Sequence, residues 1–280
     1  MNELLRELAP ISQAGWNEIE EEARRTLTLT LAGRKLVDFV GPLGWQASTV
    51  NLGRTERAGE AVRKGVETRL RRALPLIELR VPFELSREEL EAFDRGGKDG
   101  DLQPVVEAAR TIAMAEDSVI FYGASAGGIE GIAEAADHAT LKLTDDYERY
   151  PKVVAEALSK LRNAGVAGPY GIALGPRCYT GLTETTTAGG HRVFDHVQRL
   201  LDGPVVWAPS VDGAVVLSLR GGDFELTVGQ DVSIGYLSHS AEAVRLYLQE
   251  SLTFRVLAAE AAVPLSYQGT KGAGRAKSKK

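Results

Sequence analysis

The chain has 280 residues, of which 44% are hydrophobic and 25% are charged, and its formal net charge is −5. This composition is typical of a globular protein, and the acidic balance excludes a surface that binds nucleic acid as a whole. The single cysteine, Cys178, excludes an internal disulfide. No apolar run approaches the roughly 20 residues of a membrane helix, and the acidic N-terminus is not a secretory signal. We expect a cytoplasmic protein with no membrane partner.

The first predicted element is an amphipathic helix that begins after Ser12, whose side chain can cap it. Its apolar stripe follows three- and four-residue spacings and comprises Trp16, Ile19, Ala23, Leu27 and Leu31. Gly33 is the predicted stop. Leu27–Leu31 also alternates with period two, so a strand remains open there.

The next segment, Arg54–Arg72, is highly charged, with ten charged residues of both signs. Such a segment cannot bury a core of its own. Two interpretations remain open. It is either a solvated surface helix or loop, or an arm that becomes ordered on a neighbouring subunit.

Further elements alternate between strand and helix patterns. Leu76–Phe83 alternates and contains Pro82, which predicts an edge strand. Ser86 and Glu89 form a capping box that opens a short helix. Later helices are predicted from Pro104, over Pro151–Asn163 and over Val193–Leu201, and strands over Tyr170–Leu174, Val205–Trp207 and Ala214–Leu219. This order predicts a compact α/β or α+β subdomain.

The C-terminal part is predicted to be rich in β-structure. Gly-Asp turns in Arg220–Tyr236 predict a β-hairpin, with Asp223 bonded to the turn backbone. A long alternating strand, Val244–Val256, follows, with Glu250 on its apolar face, which indicates a buried acid paired with an arginine. Ser266–Lys280 has five basic residues and no acid, which predicts a disordered basic tail. Nucleic acid is not an expected partner of this tail.

One motif resembles a catalytic site. Gly123–Gly127 has the Gly-x-Ser-x-Gly spacing of a nucleophile elbow, with Ser125 as nucleophile. Asp212 or Asp231 and then His239 follow in the chain order of a serine hydrolase. Mainly helix and a charged segment precede the motif, where an elbow needs parallel strands, so a hydrolase is kept only as an alternative.

Other chemistry has no support in the sequence. The four histidines are scattered, and the closest pair, His191 and His196, does not lie on one helical face. No paired cysteines exist, so we expect no metal site. No glycine-rich phosphate loop is present. We therefore expect no catalysis.

Several segments resemble one family in order along nearly the whole chain, up to about Leu265. Arg220–Phe224, Gly229–Tyr236 and Val244–Glu250 resemble the C-terminal portion of the encapsulins, which are bacterial and archaeal nanocompartment shell proteins. The earlier matches are Leu8–Ser12 with Trp16, Gly41–Trp45, Leu74–Arg80, Glu116-Asp117 with Ile120-Phe121, and Gly168–Tyr170. Ser266–Lys280 lies outside the resemblance.

The resemblance implies an α+β fold, that of tailed-bacteriophage major capsid proteins, with peripheral domain, axial domain and extended loop. It places the N-terminal helix on the inner wall (1–40), the extended loop at 48–75, the peripheral domain at 76–134 and 217–265, and the axial domain at 135–216. Residues 266–280 form the tail. A phage or prophage major capsid protein shares this fold and remains an alternative.

The resemblance also implies function. Copies would self-assemble into an icosahedral shell of sixty subunits that encloses a cargo enzyme, such as a dye-decolourising peroxidase or a ferritin-like protein. A targeting peptide on the cargo would contact Leu29, Arg34, Asp38 and Ile234. The pore loop within Gly181–Arg192 would include Thr183, Glu184, Thr185, Thr186, Thr187 and His191. Some relatives bind flavin through a Trp where this chain has Arg87, so no cofactor is expected.

Overall fold

The structure is a computed structural model that describes residues 3–59, 62–187 and 189–267. Its contacts divide the chain into two units. The first comprises Met1–Glu134 and Phe224–Leu257, and the second comprises Ala135–Asp223 and Ala258–Lys280. The chain therefore leaves the first unit and returns to it, so each unit is described by itself.

The N-terminal helix α1 spans Gln13–Thr30, as its apolar spacing predicts. The Gly15 N–H donates to Ser12 Oγ at 3.1 Å, which confirms the predicted cap. Trp16, Ile19 and Ala23 are buried on one face. The alternation at Leu27–Leu31 does not produce a strand, because the helix continues to Thr30 and its inner face packs into the core.

Two longer helices and one short helix follow α1. Helix α2 spans Arg87–Asp94, and α3 spans Gln103–Tyr122. The capping box at the start of α2 is not formed, since the Ser86 side chain makes no cap hydrogen bond. Glu89 instead accepts from the Asp101 N–H at 2.8 Å and ties α2 to the loop before α3. A four-residue helix, α4, spans Ile132–Ala135.

A five-stranded sheet packs against these helices, with the long strand β11 (Ala243–Val256) at its centre. β4 (Ile77–Ser86) pairs antiparallel along one edge of β11. β10 (Ser233–His239) and β9 (Phe224–Val228) share the other edge end to end. β1 (Asp38–Val40) pairs in parallel with β9. Among the described strands β4 pairs only with β11, so Pro82 lies on an edge strand, as predicted.

The predicted hairpin at Arg220–Tyr236 is wrong, because β9 and β10 pair with β11 and not with each other. The Gly229 N–H donates to Ser251 O and the Ser251 N–H donates to Gln230 O, so the chain stays alongside β11 through the turn residues. The Asp223 side chain makes a contact that the sequence did not predict. It is buried and pairs with Arg220 at 2.8 Å.

The charged segment forms a two-stranded arm rather than a helix. β2 (Thr49–Arg57) and β3 (Arg69–Pro75) pair antiparallel, and almost every described residue of the arm is half-buried or exposed. Arg57 lies opposite Arg69, and Glu67 pairs with both at 3.1 Å. A like-charge pair across a ladder is destabilising, so Glu67 neutralises a local conflict. A two-stranded arm with an exposed surface fits the second interpretation, an arm that contacts a neighbouring subunit, better than a surface helix.

The second unit is a separate five-stranded sheet with helices. Its strands are β5 (Leu141–Leu143), β6 (Tyr170–Leu174), β7 (Val205–Trp207), β8 (Ala214–Ser218) and β12 (Ala262–Tyr267). The order is β5-β12-β8-β6-β7. Its helices are α5 (Tyr150–Asn163), α6 (Pro176–Glu184) and α7 (Val193–Leu201).

Two of the domain boundaries expected from the sequence differ from the two units of the structure. The segment 217–223 groups with the second unit, because β8 runs to Ser218 inside that sheet. Residues from Ala258 group there as well, because β12 pairs with β8 and β5. Ser266 and Tyr267 were expected in the disordered tail, but they form the end of β12. The rest of the predicted tail lies outside the described residues.

Candidate functional site

A groove of about 470 Å³ runs beside α1 in the first unit. One side is formed by α1 and the turn after it, and the other by the N-terminal segment and the start of β10. Its lining combines aliphatic side chains with charged groups of both signs: Leu4, Ala23, Leu27, Leu31, Val232, Ile234 and Leu248, the arginines Arg6, Arg24 and Arg34, and the acids Glu20 and Asp231. Leu4 O accepts from the Tyr236 N–H at 2.8 Å, which fixes the N-terminal segment beside β10. The groove can receive an extended, partly apolar segment.

Arg34 lines the groove and is held by three carboxyl groups. Its guanidinium donates to Glu116 of α3 through Nε at 2.9 Å and through Nη2 at 2.5 Å. The same Nη2 lies 3.2 Å from Glu250 of β11, and Nη1 lies 2.8 Å from Asp231. Glu116 and Glu250 have no exposed surface. The sequence prediction that Glu250 is a buried acid paired with an arginine is therefore confirmed.

Asp117, next to Glu116, holds the turn that carries Arg34. Its carboxyl oxygens accept the N–H of Ala32 at 3.0 Å and that of Gly33 at 2.7 Å. Gly33 packs closely against α3, since a Cβ there would lie 2.4 Å from Cδ1 of the buried Ile120 and 3.1 Å from Asp117 Oδ1. Two adjacent acids of α3 thus fix both the backbone and the side chain of the turn after α1.

Burial changes the acid–base behaviour of this cluster. Desolvation raises the pKa of Asp117 to about 7, against the opposing hydrogen bonds from Gly33 and Ala32. Desolvation and the neighbouring Glu116 raise the pKa of Glu250 well above its ordinary value. For Arg34, burial lowers the pKa, but Glu116 and Asp231 outweigh it and the pKa is raised. Arg34 therefore remains charged, whereas burial opposes the ionisation of Asp117 and Glu250.

The structure brings together two of the four residues expected to contact a peptide. Arg34 and Ile234 both line the groove, although Ile234 is only 6% exposed. Leu29 is 64% exposed on α1 but does not line the groove, and neither does Asp38 of β1. Sequence reasoning missed the contribution of Leu4 and Arg6, because nothing in their spacing indicates that the N-terminal segment lies beside β10.

The residues expected in a pore loop are divided between a helix and a loop. Thr183 and Glu184 form the last turn of α6, where Thr183 Oγ1 donates to Tyr179 O at 3.0 Å. Thr185, Thr186, Thr187 and His191 lie in the following loop. Thr187 N–H donates to His191 O at 2.8 Å and closes the loop near its tip. Except for the half-buried Thr185 and Thr187, these residues are exposed.

The candidate hydrolase motif lacks the geometry of an elbow. Ser125 follows helix α3 rather than a strand and sits exposed in a short 3-10 turn, Ser125–Gly127. His239 belongs to the end of β10, where its Nδ1 lies 2.5 Å from the Tyr236 hydroxyl. A nucleophile elbow needs a strand directly before the serine, but in this chain the C-terminal turn of α3 occupies that place. The spacing of the motif therefore has no catalytic meaning here.

The described residues, 3–59, 62–187 and 189–267, contain neither a cluster of metal-ligating side chains nor a membrane-spanning helix. No group of three or more histidine, cysteine, aspartate or glutamate side chains in this part of the chain could hold a metal ion. In the same part, no helix has both the length and the apolar character needed to cross a membrane.

Comparison with known sequences identifies the family. A family model described as "Encapsulating protein for peroxidase" matches residues 1–253. A type 1 encapsulin shell protein from Rhodospirillum rubrum is 58% identical over 270 residues, covering 95% of this chain and 96% of the relative. The chain belongs to the type 1 encapsulin shell proteins. A relative from Mycobacterium tuberculosis with the same description is 49% identical over 267 residues, covering 95% of this chain and all of the relative.

Solved structures with low sequence identity show the fold. A virus-like particle from Pyrococcus furiosus matches with a TM-score of 0.62 at 18% identity, covering 89% of this chain and 98% of that one. Gordonia phage Cozz matches with a TM-score of 0.55 at 14% identity, covering 86% and 87%. The α+β fold is therefore the major capsid protein fold of tailed phages, as the sequence resemblance implied.

Family and fold together define the role of the chain. It is a structural shell subunit, since its relatives are shell proteins rather than enzymes. The serine hydrolase alternative is wrong. Gordonia phage Cozz shares only the fold, at 14% identity, whereas the encapsulin relative from Rhodospirillum rubrum is 58% identical.

Proposed function

We propose that copies of this chain form a closed icosahedral shell of sixty subunits in the cytoplasm, and that the shell encloses enzymes carrying a short targeting peptide. The peptide docks in the groove between α1 and β10. The main observation in support of a docking site is the groove beside α1.

The groove suits an extended peptide with aliphatic side chains. Leu27, Val232 and Ile234 present aliphatic surface within one cleft of about 470 Å³, which is large enough for a few side chains. Arg34, held by three carboxyl groups, adds a fixed positive charge to the lining. A peptide that is disordered in solution pays an ordering cost on binding, and a preformed groove keeps the total cost low. Leu29 and Asp38 lie outside the lining and would contact only a longer occupant.

A plug variant tests the groove. Thr28 is an exposed residue of α1 that lines the groove, so Thr28→Trp would fill the cleft without changing the core. Arg25→Trp adds the same side chain to the same helix outside the groove and is the matched control. We expect the Thr28 variant to assemble but to lose cargo, and the Arg25 variant to retain it. Retention of cargo by both variants would contradict docking in this groove.

The cargo itself is proposed from the family description. The matching family is described as encapsulating a peroxidase. We propose a dye-decolourising peroxidase as cargo, with a ferritin-like protein as the alternative. Mass spectrometry of proteins that co-purify inside intact particles tests this choice. A haem absorption band in the particles supports the first candidate, and bound iron without haem supports the second.

We also propose that the loop after α6 lines a pore. Thr186, Thr187 and His191 are polar, and a water-lined opening needs polar, small side chains. Replacing Thr186 and His191 with leucine would narrow such an opening and make it apolar. The rate at which a small substrate reaches enclosed peroxidase should then fall, while free peroxidase is unaffected. An unchanged rate would contradict a pore at this loop.

A further inference from the structure

The cluster around Arg34 contains more acids than one guanidinium can balance. Arg34 contacts Glu116, Glu250 and Asp231, and Asp117 lies beside Glu116 in the chain. Asp231 retains 43% of its side-chain exposure, so water stabilises its charge. Glu116 and Glu250 have none. Two buried carboxylates that share one Nη2 atom would repel each other strongly.

The hydrogen bonds distinguish the two buried acids. Both oxygens of Glu116 accept from Arg34 Nε at 2.9 Å, and Oε2 also accepts from Nη2. This is the bidentate arrangement of an arginine with an ionised carboxylate. Glu250 has only one contact, from Nη2 to Oε2 at 3.2 Å. Its other oxygen, Oε1, is fully buried and has no hydrogen-bond partner among the described residues.

Glu250 Oε1 can be buried without a hydrogen-bond partner at a low cost only if the carboxyl group is protonated. In an ionised Glu250, Oε1 would carry half a buried negative charge with no donor, which is among the costliest arrangements in a protein core. In a protonated Glu250, Oε1 is a neutral carbonyl oxygen. The Oε2 hydroxyl can then donate to Glu116, which removes the repulsion between the two acids.

We propose that Glu250 is a positioning residue that stays protonated at neutral pH and, together with ionised Glu116, fixes the Arg34 guanidinium in the wall of the groove. The proton removes one negative charge from a site that has one buried cation. Only the functional consequence, an ordered Arg34 for the occupant, rests on the proposed peptide groove. The protonation state stands on the geometry of the cluster.

Most of the charged groups around Glu250 are acids, which oppose its ionisation, and Arg34, the cation in contact with it, is shared with Glu116. Glu116 and Asp117 come from α3, Arg34 and Lys35 from the turn after α1, and Asp231 from the segment before β10. On β4 the residue opposite Glu250 is the apolar Leu79. Its neighbours Glu78 and Arg80 lie on the other face of the sheet, because strand side chains alternate. Desolvation raises the pKa of Glu250, in agreement with this arrangement.

The matched variants Glu250→Gln and Glu116→Gln test the proposal in assembled particles. A glutamine at 250 keeps the donor and the carbonyl oxygen of a protonated acid, so we expect a melting temperature within about 2 °C of the parent. Glu116→Gln removes the carboxylate that balances the charge of Arg34, so we expect the melting temperature to fall by about 10 °C. Equally large decreases in the melting temperature of both variants would overturn the proposal.

Infrared spectroscopy of the parent particles provides a second measurement that does not depend on how the variants fold. At pH 8.5, above the pKa of about 7 for Asp117, we expect a remaining carbonyl band of a protonated carboxylic acid. It should disappear in Glu250→Gln and persist in Asp117→Asn. Absence of this band in the parent would overturn the proposal. Cargo retention by Thr28→Trp tests the groove separately, so failure of one proposal is distinguishable from failure of the other.

Discussion

The Nη2 atom of Arg34 lies 2.5 Å from Oε2 of Glu116, a residue 82 positions later in the chain. This contact joins the turn after α1 to α3, and the adjacent Asp117 holds the backbone of the same turn. The groove wall is thus built on buried polar contacts rather than on apolar packing alone. Arg34, Glu116 and Asp117 together form the junction between this turn and α3.

Replacing Arg34 with alanine should destabilise the subunit strongly. The change leaves Glu116 buried without its cation, and breaking a buried pair in this way costs roughly 3–5 kcal/mol. Arg24→Ala is the control, because Arg24 also lines the groove but is exposed. Thermal unfolding followed by circular dichroism should show a large fall for Arg34→Ala and almost none for Arg24→Ala. Similar melting temperatures for both variants would contradict the structural role of Arg34.

The stability of the protein should fall as the pH rises from about 4 to about 7. Burial raises the pKa of Asp117 from 3.8 to about 7, so the folded state binds a proton that the unfolded state has lost. The contribution is complete below the unfolded pKa and is lost as the pH approaches the folded value. At about 1.4 kcal/mol per pKa unit, the loss is on the order of 4 kcal/mol.

Asp117→Asn tests this pH dependence. The variant carries no titratable group at position 117, so its melting temperature should be flatter than that of the parent between pH 4 and pH 7. Asp231→Asn is a useful comparison, since Asp231 contacts the same cluster but is partly exposed. A pH profile of Asp117→Asn that coincides with the parent profile would show that another group is responsible.

Gly33→Ala should also destabilise the junction. The added Cβ would lie 2.4 Å from Ile120 Cδ1 and 3.1 Å from Asp117 Oδ1, so the buried Ile120 side chain or the turn must shift. Overpacking of this kind costs about 1–3 kcal/mol. Gly59→Ala is the matched control, because a Cβ there meets nothing within 4 Å. Unfolding curves of the two variants measured side by side would reveal the difference, and equal curves would be the contrary result.

Much of the fold could be predicted from the sequence because its signals are local. The spacing from Trp16 to Leu31 and the cap at Ser12 locate α1, and alternation with Pro82 identifies β4 as an edge strand. The hairpin prediction failed because Gly-Asp turns do not reveal that Gly229 and Gln230 keep their hydrogen bonds to β11.

The site was less predictable, because its parts are distant in sequence. Glu250 could be recognised as a buried acid from its place on an apolar strand face. Its arginine could not be identified, since Arg34 is 216 positions away. Arg34 and Ile234 were found through family resemblance, and Leu4 and Arg6 were missed, because the path of the N-terminal segment leaves no periodic signal.

The arm should be needed for assembly but not for folding of the subunit. Replacing residues 52–72 with a two-residue Asn-Gly turn retains the pair Asn51 and Ala73 and removes a mainly exposed hairpin. Circular dichroism of the shortened chain should remain that of a folded protein, while size-exclusion chromatography should show loss of particles. Particles of normal size would contradict a role for the arm between subunits.

Negative-stain electron microscopy of the purified full-length chain tests most directly the central conclusion, that the protein is a shell subunit. The capsid fold, the projecting arm and the family membership predict uniform, closed, hollow particles. A population that remains monomeric or dimeric at every concentration would contradict it.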